Sequence, residues 1–219
     1  MKSQHSYSEP EKQAVYRVIK ERRDMRHFNN QPLEDGLLLR LLTVANQAPS
    51  VGLMQPWRFI RITDDELKGQ IKTLVETERS ITAAVLNERK NDFLKLKVEG
   101  ISECAELIVV ALPEGREKHV FGRRTMPDMD LASVSCAIQN MWLAARAEGI
   151  GLGWVSLFDP IGLADLLKMP SDSRPIAILC IGHVEKFYDK PMLIEQNWAQ
   201  AADVESFIFE NTWQDAEPT

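Results

Sequence analysis

The sequence predicts one domain that combines a buried β-sheet with amphipathic helices, and three observations carry that prediction. First, Leu131, Val134, Ile138, Met141, Trp142 and Ala145 recur at helical spacing. That helix runs through Gly149 into a short apolar run over 151–158, which reads as a buried central strand. Second, two further apolar runs, 107–112 (LIVVAL) and 175–184 (PIAILCIGHV), read as strands buried on both faces. Third, the chain has 219 residues, the size of one domain, and shows no repeat, low-complexity tract or linker, so 1–219 is expected to be a single unit.

The elements follow in order. Ser8 with Glu11 makes a capping box and opens a helix. Val15, Val18 and Ile19 share one face of it, and Arg22, seven residues after Val15, extends that face inward. A leucine-rich helix is expected over 34–47, weakened at Gly36 and halted by Pro49, then a turn at 49–52 and a first strand over 57–62. The charged stretch 64–100 is mostly helical. Its second part, 81–98, has a weak apolar stripe and is expected to be a movable cover. A polar loop over 113–128 holds the pair Arg123-Arg124, and Asp128 or Asp130 can cap the central helix. Asp159-Pro160 starts a short helix ending near Lys168. The tail from Tyr188 is irregular but carries Met192, Leu193, Trp198, Phe207, Ile208, Phe209 and Trp213. It must lie on this domain or on a partner subunit.

Composition narrows the function. A net charge of −6 and a pI near 5.3 argue against nucleic-acid binding. Cys104, Cys136 and Cys180 are scattered among apolar neighbours and are expected to be buried thiols of a reducing compartment. The four histidines lack metal-ligand spacing, so no metal is expected. With no leader-like N-terminus and no membrane-length apolar run, the expected location is cytoplasmic.

The densest polar cluster is Arg22-Arg23-Asp24-Met25-Arg26. Guanidinium forks suit phosphate, though basic residues also favour a solvated helix end. Asp24 reads as an ion-pair partner or as an acid/base that would need a substrate proton in reach. The turn carrying Ser50, Gly52 and Gln55 offers a hydroxyl, approachable backbone and a side-chain amide; it can hold a planar heterocycle or simply connect helix to strand. Gly149, Gly151 and Gly153 follow a helix and precede a strand, the reverse of a dinucleotide fingerprint. Ser156 has no nucleophile-elbow context.

Together, RRDMR, APSVGLMQPWRF and MDLASVSCAIQNMWLAARAEGIGLGWVSLF resemble the nitroreductase-like flavoprotein superfamily and, within it, the 5,6-dimethylbenzimidazole synthase family. Asp24, where ordinary nitroreductases have serine, and Ser156 in GWVS point to the latter. The resemblance implies an α+β fold, a mixed sheet flanked by helices, built as an intertwined homodimer whose tails (188–219) wrap the partner. It implies FMN at the interface, with Arg22, Arg23 and Arg26 on the phosphate and ribityl end and Asp24 and Met25 alongside. Ser50, Gly52 and Gln55 would come from the partner, and Ser156 would face the ring. The glycines of the 151–158 strand would bring backbone close to that ring. The implied reaction is oxygen-dependent fragmentation of reduced FMN (FMNH2) to 5,6-dimethylbenzimidazole and erythrose 4-phosphate. Asp24 and Ser156 would be catalytic, O2 the co-substrate, and a separate flavin reductase the source of FMNH2. The alternatives are a conventional FMN-dependent NAD(P)H nitroreductase or flavin reductase, and a flavin-storage protein without turnover.

Overall fold

A computed structural model of the chain describes residues 5–213; residues 1–4 and 214–219, the last part of the expected tail, lie outside the described residues. The helices are α1 (Glu9–Glu21), α2 (Leu37–Asn46), α3 (Asp65–Val85), α4 (Lys90–Lys95), α5 (Met129–Ala147), α6 (Pro160–Leu166) and α7 (Met192–Glu195). The strands are β1 (Arg58–Ile62), β2 (Glu106–Leu112), β3 (Gly151–Val155) and β4 (Arg174–Gly182).

The strands form one sheet in the order β1-β2-β4-β3, with every pair antiparallel. The register sets Ile60 opposite Val109, Ile108 opposite Leu179 and Trp154 opposite Leu179. Among the described residues, the parallel component of the expected mixed sheet is confined to one bridge, between Asp24 and Leu152. Alternation along β2 divides the core. Ile108, Val110 and Leu112 face α2 and α5, packing with Leu41, Ala45, Ile138 and Met141. Leu107 and Val109 face α3 and α6, packing with Ile71, Val75 and Leu163. Both faces are covered, which is why β2 and β4 read as unbroken apolar runs.

Local chemistry explains the element ends. Ser8 and Glu11 complete the capping box of α1. Gly36, left-handed at φ 77°, delays α2 to Leu37 instead of the expected 34. α5 ends in a Schellman turn: Gly149 is left-handed, its N–H donates to Arg146 O, and the Ile150 N–H donates to Ala145 O. Asp159 caps α6 through the N–H of Gly162 at 2.9 Å. Asp130 is not a cap. It is buried between the guanidiniums of Arg116 and Arg123, at 3.0 and 2.9 Å, and ties the 113–128 loop to α5.

Several expectations change. The helix expected over 64–100 breaks after Val85, where Asn87 is left-handed, and resumes as α4. Its Phe93 and Leu96 are buried with Ala83, against Trp198 of the tail and Leu157. β3 stops at Val155, so Ser156 lies just beyond the strand, exposed. Cys104 and Cys180 are buried but Cys136 is exposed. The Val15–Ile19 face of α1 is not covered by the chain itself, and Val15 is 51% exposed. Among the described residues, no helix is long and apolar enough to cross a membrane.

Candidate active site

The site begins where α1 ends. Arg22 is its C-cap, already extended at φ −60° and ψ 134°. The chain then runs alongside β3, and the Met25 N–H donates to Leu152 O at 3.1 Å. Two glycines make this possible. A Cβ on Gly153 would lie 2.1 Å from Met25 O, and one on Gly151 would lie 3.3 Å from the Met25 Cβ. The glycines of β3 therefore admit backbone from the same chain, which corrects the expectation that they admit a flat ring at that face.

The charges of this segment are mostly satisfied internally. The Arg26 guanidinium grips Asp24 through both ends, Nη1 to Oδ1 at 2.6 Å and Nη2 to Oδ2 at 2.7 Å. It also donates to Trp154 O at 2.8 Å, and Asp24 Oδ1 accepts the Trp154 N–H at 2.9 Å. Arg23 donates to the carbonyls of Lys20, Arg22 and Asp189. Arg22 differs: its guanidinium lies 4.6 Å over the Trp142 ring and makes no hydrogen bond to any of the described residues. Met25 is fully buried, so its side chain belongs to the core.

Asp24 Oδ1 accepts two hydrogen bonds and Oδ2 accepts one, which leaves Oδ2 with acceptor capacity. Desolvation by the surrounding protein raises the Asp24 pKa, while Arg26, the Trp154 N–H and Arg22 oppose the rise. The side chain is still 44% exposed, which weighs with the bidentate pair against a large rise. Ser156 lies two residues, or about 6.6 Å of extended chain, past Trp154. It is exposed and makes no hydrogen bond among the described residues.

The 50–55 turn is elsewhere. The Val51 N–H donates to Ser133 Oγ near the start of α5, whereas the Trp142 Nε1–H donates to Arg23 O. Ser133 and Trp142 are nine positions apart, about 13.5 Å along the helix. The turn is held by the Gln55 N–H donating to Ser50 Oγ and has left-handed backbone at Gly52, Leu53 and Gln55. The chain thus brings Arg22, Arg23, Asp24 and Arg26 together in one corner beside Trp154, with Ser156 two residues further along, and sets Ser50, Gly52 and Gln55 apart.

The corner has members that sequence reading did not mark. The Tyr188 hydroxyl accepts the Arg26 N–H at 3.2 Å and lies 2.6 Å from His27 Nδ1. Burial pushes its pKa up, against the opposing Arg26 N–H and charge. Its only trace in the sequence is an aromatic at the start of an irregular tail. The Nε atoms of Arg23 and Arg26 are buried without hydrogen-bond partners among the described residues. With the uncommitted Arg22 cation, the exposed edge of Asp24 and the exposed Ser156 hydroxyl, this donor set fits an anionic group joined to a polar, planar one.

Comparison with known proteins agrees with this architecture. Residues 19–183 match the model of the nitroreductase family. The 5,6-dimethylbenzimidazole synthase of Rhodospirillum rubrum is 38% identical over 179 residues, covering 81% of this chain and 85% of that protein. The enzyme of the same name from Rhodobacter capsulatus is 34% identical over 197 residues, covering 89% and 95%. Among solved structures, a BluB-like flavoprotein from Clostridium difficile 630 superposes with a TM-score of 0.69 at 19% identity, over 90% of this chain and 99% of that one, which speaks to the fold.

Proposed function

The chain belongs to the nitroreductase family and is a flavin-dependent oxidoreductase, and from that premise we propose that it fragments reduced FMN with O2. The products would be 5,6-dimethylbenzimidazole, the lower ligand of cobalamin, and erythrose 4-phosphate. The observation that carries this reading is the carboxylate of Asp24, fixed by Arg26 and by the N–H of Trp154 and open at Oδ2, with the exposed Ser156 two residues past Trp154, just beyond the end of β3.

Reduced FMN supplies the electrons that oxygen takes up and the carbon skeleton of the product. The chain's own residues bind, orient and move protons. Arg22 is the uncommitted cation and takes the phosphate, with Arg23 and Arg26 shaping the segment around it. Asp24 Oδ2 accepts a proton near the ribityl end, and the upward pull of burial suits a base that must hold that proton before passing it on. Ser156 donates toward a ring nitrogen or an oxygen-derived group. In this reading the 81–98 cover, which packs on Leu157, closes over the exposed Ser156 when flavin is bound and then excludes water there.

The same reading makes the molecule a homodimer. The 50–55 turn lies about 13.5 Å of helix from the corner in its own chain, so in this reading a second copy brings its turn to the flavin. The exposed Val204, Phe207, Ile208 and Trp213 wrap that second copy. A separate flavin reductase supplies FMNH2.

The test is to load FMN anaerobically, reduce it, admit air and follow products by chromatography. 5,6-Dimethylbenzimidazole appearing as flavin disappears supports the proposal. Clean return to intact FMN rejects it in favour of a conventional nitroreductase or flavin reductase. Asp24→Asn should still bind FMN but form product at least about 100-fold more slowly; normal turnover would remove Asp24 from the chemistry.

A further inference from the structure

We propose that Tyr188 is a positioning residue for the flavin phosphate, acting through the 22–26 segment; this rests on the reading of that corner as the phosphate end of an FMN site. The geometry comes from pairing. The Met25 N–H points into β3, to Leu152 O. In an extended segment the next N–H points the opposite way, so the Arg26 N–H faces away from the sheet and needs a partner. The Tyr188 hydroxyl is that partner, at 3.2 Å.

The hydroxyl is itself oriented. With His27 Nδ1 unprotonated, the Tyr188 O–H donates to it across 2.6 Å, leaving an oxygen lone pair for the Arg26 N–H. The two rings meet edge to face, with centroids 6.0 Å apart. The next residue continues the grip: Asp189 O accepts from Arg23 Nη2 at 2.8 Å. Arg23 in turn holds Arg22 O at 2.8 Å. Two successive tail residues therefore hold both ends of the stretch that carries the uncommitted Arg22 guanidinium. Without the hydroxyl, the Arg26 N–H loses its partner and the segment is free to shift, carrying Arg22 away from the phosphate. The isoalloxazine ring, placed by other groups, would be unaffected.

The experiment is a fluorescence-quenching titration of wild type and Tyr188→Phe with oxidised FMN and with riboflavin, which has the same ring and no phosphate. Tyr188→Phe is expected to weaken FMN binding about tenfold and to leave riboflavin binding unchanged. Equal weakening of both flavins would make Tyr188 a general structural residue and overturn the proposal. A wild-type preference for FMN that survives unchanged in Tyr188→Phe would overturn it too, while leaving the phosphate site intact. A wild type that binds both flavins equally would overturn the phosphate site and this proposal together. As a second variant, His27→Asn keeps an acceptor for the Tyr188 proton and should retain the wild-type FMN:riboflavin ratio, whereas His27→Ala should lower it. An unchanged ratio in His27→Ala, or a lowered ratio in His27→Asn, counts against the proposed orientation of the hydroxyl.

Discussion

Two regions of this chain differ in how far they are completed by the chain itself. The corner made by residues 22–27, β3 and Tyr188 is closed: its arginines, carboxylate and backbone groups mostly find partners within the same fold. Two other stretches, the 50–55 turn with the 113–128 loop and the distal tail, are open. There Leu53 and Phe121 are more than three-quarters exposed, and Trp213 is 82% exposed. Phe121 lies against Gly52, so the turn and the loop form one exposed apolar surface. The difference separates two kinds of specification. The closed corner is pre-organised by covalent neighbours and glycine clearances. The open region carries apolar surface that water alone does not stabilise.

The largest effect should come from breaking the open region. Burying Val204, Phe207, Ile208, Phe209 and Trp213 on a second copy would contribute on the order of 10 kcal/mol before the costs of association. Removing residues after Ala202 keeps Tyr188, Asp189 and Trp198 in place but deletes that surface. Sedimentation should then show the full chain as a dimer and the shortened chain as a monomer. A shortened chain that stays dimeric would mean the tail is not what joins the copies.

The closed corner should break at Gly153. A methyl group there would fall 2.1 Å from Met25 O, which is backbone and cannot rotate away. Gly153→Ala is expected to cost about 3 kcal/mol, at the upper end for overpacking, and to abolish FMN binding as the 24–26 segment is displaced. Gly151→Ala should be milder, because its nearest contact, Val184 Cγ1 at 2.5 Å, is a side chain. Denaturant midpoints of the two variants compare them directly; equal costs would show that Met25 O is not the limiting contact.

Much of the fold was legible beforehand, for physical reasons. Periodicity marked α5 and a glycine marked its end, while unbroken apolar runs marked β2 and β4 because both faces of those strands are buried; β3, expected to be central, is an edge strand of the sheet. The capping box of α1 was legible because its hydrogen bonds span only three residues. The site was legible by residue type more than by role. A glycine announces a close approach but not what approaches, so Gly151 and Gly153 pointed to a ring where the chain places Met25. Charge spacing cannot show that Arg26 is committed to Asp24 while Arg22 is not, because that depends on Trp154, far along the chain. Tyr188 was out of reach for the same reason: its hydrogen bond to Arg26 spans 162 residues. The open face of α1 was misread inward because periodicity finds an apolar face without saying which chain covers it.

The smallest effect probes the balance inside the corner. Burial raises the folded-state pKa of Asp24 above the ordinary aspartate value of about 3.9. A carboxyl with a raised folded pKa favours the folded state most when protonated. Its contribution is therefore greatest below the unfolded value and declines as pH rises through the folded one. Arg26 opposes this, and the side chain is 44% exposed, so the net effect should stay below about 1 kcal/mol. The measurement is the urea stability of wild type minus that of Asp24→Asn, from pH 3 to pH 7, since the amide does not titrate. The difference should become less favourable to wild type as pH rises and level off once Asp24 is ionised. If it grows with pH instead, the bidentate pair with Arg26 outweighs burial. Asp24 would then be a low-pKa ion-pair member, less fit to hold a proton, and the case for it as the base of the corner would weaken accordingly.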